Sequence, residues 1–132
     1  LLRPLLQFNI VHIIVSCDGY GEKFEHIRIG AKWDTLLKNI IFTQNFLNKN
    51  KFNGDFCMNI VVQRDNVKDV LKLYVFMRKH FHFRFFIEVL VNPEYFSIAY
   101  LSTKEKKELL VLYEYYFSKY KEIYPEITTD FE

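Results

Sequence analysis

The chain has 132 residues, half of them hydrophobic, and a formal net charge of +2. That length suits one domain, the apolar content excludes a disordered polymer, and the near-neutral charge excludes the basic stripe that binding to a phosphate backbone requires. No uninterrupted apolar run is long enough to span a membrane, and two cysteines far apart in sequence, Cys17 and Cys57, make neither a CxxC motif nor a disulfide framework. Neither nucleic acid nor membrane is therefore expected as a partner, and the cysteine usage points to a reducing, cytoplasmic compartment. Phe (14) and Tyr (9) outnumber the single Trp, and individual Phe residues are read as core fillers. Lys104, Lys106 and Lys107 cluster, but Glu105 and Glu108 interleave with them, the pattern of a solvated helix face.

The sequence opens Leu-Leu-Arg-Pro, without an initiator Met, and reads as though cut from something longer. Leu1–Phe8 is a short apolar piece broken by Pro4. Ile10–Ser16 is a continuous β-branched run, which predicts a strand covered on both faces, as in parallel sheets. Ser16-Cys17-Asp18-Gly19 ends it, and Gly19 and Gly21 open a polar loop. Asp34 suits an N-cap, after which Leu37, Ile40, Ile41, Gln44 and Leu47 share one helical face. Asn48–Gly54 is a polar turn. Phe56–Gln63 predicts a second strand, with Asp65 or Asn66 capping a helix whose stripe is Val67, Val70, Leu71, Tyr74 and Arg78.

His82–Val91 predicts a third strand, ended by Asn92-Pro93 because proline cannot donate to the ladder. Ser102 with Glu105 makes a capping box, and Leu109, Leu112, Tyr113, Tyr116, Phe117 and Tyr120 continue one helical face. Residues 121–132 read as a polar tail. Three strand-helix units in alternation imply an α/β fold with a parallel sheet, and with only three strands an edge and a face lack partners.

In such sheets chemistry collects at the carboxyl ends of the strands. This chain places Ser16, Asp18 and Gly19 after the first strand, Gln63 and Asn66 after the second, and Glu88 and Asn92 near the end of the third. Each has an ordinary structural role as a turn, cap or terminator; their shared rim is what a functional reading adds. Several sharper motifs are missing. Gly19-Tyr20-Gly21 lacks the third glycine of a dinucleotide fingerprint, with Phe24 in its place, and there is no phosphate-binding loop or nucleophile elbow. His80 and His82 would share a strand face but have no third ligand beside them, so no metal ligand is assigned.

Val15-Ser16-Cys17-Asp18-Gly19, followed by Glu25-x-x-Arg28-x-Gly30 and Lys32-Trp33-Asp34-x-Leu36-Leu37-x-Asn39-Ile40, resembles the fourth strand and helix of radical S-adenosylmethionine (SAM) enzymes of the Twitch and SPASM types. Asn59-Ile60-Val61-Val62-Gln63-Arg64-Asp65-Asn66 resembles their fifth strand and its exit, and Pro93–Ser97 with Leu101 resembles the segment after the sixth. The resemblance runs from about Val11 to Tyr120 and is strongest over Val15–Val70.

It implies that residues 1–120 form the C-terminal half of a partial (β/α)6 barrel of TIM type, built from three parallel β-α units. The complete parent would hold SAM and a [4Fe-4S] cluster and act on a peptide, sugar or nucleotide-linked substrate. The cluster motif Cys-x-x-x-Cys-x-x-Cys is absent here, so the implied partner is the missing N-terminal half, and this chain alone would be inactive. By the same resemblance Ser16, Asp18 and Arg28 meet the SAM carboxylate or ribose, Gln63 and Asn66 line the fifth-strand exit, and Val91 lies along the adenine. A hydroxyl and an arginine fork suit a carboxylate. Cys17 should point away from the site, because strand side chains alternate. The competing reading is a non-enzymatic α/β interaction module, or a degenerate relative that has lost catalysis.

Overall fold

A computed structural model describes residues 2–8 and 11–131. Leu1, the expected first strand residue Ile10, and the last tail residue Glu132 lie outside the described residues. After a 3-10 turn at Arg3–Gln7, the chain runs β1 (His12–Ser16), α1 (Glu22–Ile27), α2 (Trp33–Lys49), β2 (Asp55–Val62), α3 (Val70–His80), β3 (Arg84–Val89), α4 (Thr103–Tyr120) and α5 (Glu126–Thr129). The fold is α/β, and among the described residues three strands form one parallel sheet in the order β1-β2-β3. Among the described residues no helix is long and apolar enough to cross a membrane.

Register settles which side chains share a face. His12 lies opposite Asp55, Ile14 opposite Cys57 and Ser16 opposite Asn59; Cys57, Asn59 and Val61 in turn face Arg84, Phe86 and Glu88. Side chains alternate along each strand, so these residues occupy one surface of the sheet. The other surface carries Met58 and Ile60, both fully buried with Ile40 of α2 and Leu71, Tyr74 and Met77 of α3. Burying a large apolar side chain of this kind contributes about 1.5–3 kcal/mol.

The helices pack on that second surface, and the first is left open: Ile14 is 56% and Phe86 39% exposed. The expectation of a β1 covered on both faces is thus corrected. Ile14 is as apolar as its neighbours, and an unbroken apolar run records what a strand can bury rather than what covers it.

The helix termini correct other expectations. Asp34 does not cap α2; the first helical amide, Trp33 N–H, donates to Glu25 Oε1 at 3.0 Å, with Lys32 Nζ on the second oxygen at 2.8 Å. A carboxylate from α1 therefore satisfies an otherwise orphaned donor of α2. The next helix starts at Val70, later than a cap at Asp65 or Asn66 would put it, because residues 64–69 form turns and Asn66 faces inward. The capping box at Ser102 and Glu105 is present as expected, with both reciprocal bonds.

Of the expected polar tail, the described residues 121–131 are not a solvated segment. Ile127 of α5 is fully buried, Phe131 packs on Tyr74 at 5.3 Å, and Asp130 accepts from Tyr74 Oη at 2.6 Å and from Arg78 Nη2 at 3.0 Å.

Candidate functional site at the strand ends

The loop after β1 is fixed before any ligand is considered. Gly19 makes the tight exit: a Cβ there would sit 2.6 Å from the Phe24 backbone nitrogen. Tyr20 then inserts between α2 and α3, 5.2 Å from Trp33 and 5.0 Å from Phe76 between ring centroids. Lys72 Nζ lies 4.7 Å from the Tyr20 ring centroid. The loop is thereby pinned to two helices, and α1 carries the chain on to Arg28.

Arg28 turns back to the strand end. Its Nε donates to Asp18 Oδ2 at 2.9 Å, and its Nη2 donates to the same oxygen at 2.6 Å. The other oxygen, Oδ1, accepts the Val61 backbone N–H at 2.8 Å. Asn66 completes the group. Its Nδ2 donates to the carbonyl oxygens of Asp18 at 2.7 Å and Val61 at 2.8 Å, and its Oδ1 accepts Gln63 N–H at 2.8 Å. Asn66 is fully buried and Asp18 is 5% exposed, whereas the Arg28 side chain is 39% exposed. Charge-assisted bonds in a nearly dry setting hold this group firmly.

Three of the expected residues, Asp18, Arg28 and Asn66, are therefore hydrogen-bonded together. Gln63 joins through its backbone only. Ser16 sits two residues before Asp18 on the open surface of the sheet, beside Asn59, whose Oδ1 is buried without a hydrogen-bond partner. Val91 lies past the end of β3, 67% exposed, and makes no hydrogen bond to this group. The arrangement is suited to binding. Its half-exposed guanidinium is the one cationic side chain in the group, and no nucleophile stands beside a base.

Cys17 points into the helix-side core, as alternation predicts, and its thiol donates to the Gly19 carbonyl at 3.3 Å. Burial pushes that thiol up to about 12, so it is inert. His80 and His82 do not share a strand face: His80 ends α3, its ring tilted against Phe76 at 4.7 Å between centroids, and His82 lies before β3.

A second polar group lies at the opposite ends of β1 and β2. His12 Nδ1 is 2.9 Å from Asp55 Oδ2, and Arg84 Nη1 is 3.5 Å from the same oxygen. The ligand atoms of His12, Asp55 and Cys57 all lie within 4.8 Å of one another. Sequence reasoning missed this group because His12 and Asp55 meet only through the β1–β2 register. The signal available was alternation along β2, which puts Asp55 and Cys57 on one face.

No protein-family model, curated protein or solved structure gives a significant match to this chain.

Proposed function

We propose that this chain is the C-terminal half of a radical SAM barrel, a partial TIM-type barrel in which it supplies part of the SAM-binding cradle. One observation carries the reading: β1, β2 and β3 neighbour one another in chain order while the helix-side core lies on one surface only. A doubly wound sheet would be covered on both surfaces; a barrel segment leaves its inner surface free and gathers functional groups on the carboxyl rim. Arg28, Ser16 and the unpartnered Asn59 Oδ1 belong to that rim or its inner surface.

The proposed division of labour differs from the resemblance at two residues, Asp18 and Asn66. Both oxygens of Asp18 are engaged within the chain. Asp18 is therefore a positioning residue, holding Arg28, while Arg28 and Ser16 present donors to the carboxylate or ribose of SAM. Asn66, fully buried with Nδ2 and Oδ1 on backbone partners, is likewise a positioning residue, and Gln63 and Val91 complete the cradle in this reading. The residues present do not fit an iron-sulfur cluster: Cys17 lies in the helix-side core and Cys57 lies on the opposite sheet surface. Three thiolates on one loop are required, and they would come from the N-terminal half, with SAM, the cluster and a peptide, sugar or nucleotide-linked substrate completing the parent enzyme in the cytoplasm.

Titration of the purified chain with SAM tests this. Saturable binding that Arg28→Ala weakens by about tenfold or more, and that Ser16→Ala also weakens, is the expected result. A stable [4Fe-4S] spectrum after anaerobic reconstitution of this chain alone would defeat the missing-half reading. The second reading, a non-enzymatic module or degenerate relative, rests on the exposed Ile14 and Phe86 of the open surface. Absence of SAM binding together with a stable dimer favours it.

A further inference from the structure

We propose that His12, Asp55 and Cys57 form a binding site for a divalent transition metal of the zinc class, with one coordination position left open. The site lies at the amino ends of β1 and β2. Asp55 and Val61 are six residues apart along one strand, about 20 Å, so the metal site and the Asp18–Arg28 group are independent.

The geometry comes from the sheet. His12 and Asp55 are directly opposed in the β1–β2 register, and Cys57 follows Asp55 by two residues, so its side chain emerges on the same surface. Gly54 allows this alignment. A Cβ at that position would run into the Val11 carbonyl oxygen, which itself accepts the Asp55 N–H at 3.1 Å. The ligands therefore stand on a hydrogen-bonded sheet rather than on loops, the placement that gives a site its precision.

The separations suit a tetrahedral ion. Bonds of about 2.0–2.3 Å to nitrogen, oxygen and sulfur place neighbouring donors about 3.3–3.8 Å apart. His12 and Asp55 are now 2.9 Å apart, and all donors lie within 4.8 Å of one another. Rotamer adjustments of under about 1.5 Å bring the set onto an ion. One thiol, one imidazole and one carboxylate make a borderline-soft set, which selects zinc, cobalt or nickel over the oxygen-seeking calcium and magnesium.

Binding replaces the Cys57 thiol proton, which leaves to the buffer, and the thiolate with the Asp55 carboxylate balances the dication. Arg84, 3.5 Å from Asp55 Oδ2, stays on the carboxylate as an outer partner that orients it. The fourth position faces the open sheet surface, where the His12 side chain is 54% exposed.

Cobalt(II) added to the full chain is the probe. One equivalent should bind and produce a thiolate-to-cobalt charge-transfer band that zinc(II) then displaces. The band should vanish in Cys57→Ser. Cys57 is fully buried, so the exposed His12→Ala provides a second arm that spares the core, and affinity should fall about tenfold or more there. The site is overturned if no saturable binding occurs, if the band survives in Cys57→Ser, if His12→Ala binds as tightly as the wild type, or if one ion is shared between two chains. None of these readouts involves SAM.

Discussion

Asp18 and Arg28 are ten positions apart in sequence and joined by two hydrogen bonds to a single carboxylate oxygen, at 2.9 and 2.6 Å. The carboxylate's other oxygen holds the Val61 amide, so one buried side chain ties the loop after β1 both to β2 and to the end of α1. Asp18→Ala should lower stability by at least about 2 kcal/mol, since it leaves a strand amide and a guanidinium without their acceptor. Asp18→Asn should fall between, because an amide oxygen can still take the Val61 N–H. Urea denaturation of the two variants measures both.

Asn66 makes a sharper case. It donates to two carbonyls and accepts one amide from a fully buried position. Asn66→Asp keeps size and shape but offers no donor, so a carboxylate would face two carbonyl oxygens. We expect Asn66→Asp to be at least as damaging as Asn66→Ala, each costing about 2 kcal/mol or more. A shift of the unfolding midpoint that ranks Asp clearly above Ala would show that the Nδ2 bonds do not carry the interaction.

The alternation of strand and helix was legible, and so were the parallel sheet and the box at Ser102, because these depend on local periodicity and spacing. Glu25-x-x-Arg28 was legible as a pair of polar residues but not in its task. Glu25 caps α2 and Arg28 clasps Asp18, and both bonds depend on how α1 lies across the strand end. Ile127 was hidden in a polar stretch, since one apolar residue has no period. The open sheet surface was illegible for a different reason: residues such as Ile14 and Phe86 satisfy a strand pattern whether or not anything covers them.

The pH dependence follows from buried neutral acids. Burial pushes the Cys17 thiol from 9.0 to about 12, and burial pushes the Tyr113 hydroxyl from 10.0 to about 12. Each is raised in the folded state, so its stabilising contribution is complete below the unfolded value and is lost as pH rises toward the folded one. Stability should therefore decline from about pH 9.0 upward, with Cys17→Ala flattening the first part of the decline. At the acid end Glu25 is held below its ordinary 4.5 by Lys32 and the Trp33 amide, so its contribution is present above that value and lost as pH falls through the depressed one. Glu25→Gln should reduce the acid sensitivity. Urea midpoints across the pH range check both limbs.

The C-terminal segment is tested by Ile127, Asp130 and Phe131. Ile127 is fully buried within the core cluster, and Phe131 lies 5.3 Å from Tyr74 and 5.9 Å from Tyr113 between ring centroids. Ile127→Ala should cost about 2–5 kcal/mol, the usual penalty for a cavity of that size. Asp130→Asn should cost less: it removes the charge that Arg78 and Tyr74 share but leaves an oxygen able to accept. Cutting the chain after Tyr120 should cost more than either change, because it strips the cover from Tyr74 and leaves Arg78 without its carboxylate. A solvated tail would predict wild-type unfolding midpoints for all three, so thermal and urea denaturation of this series separates a docked segment from a trailing one.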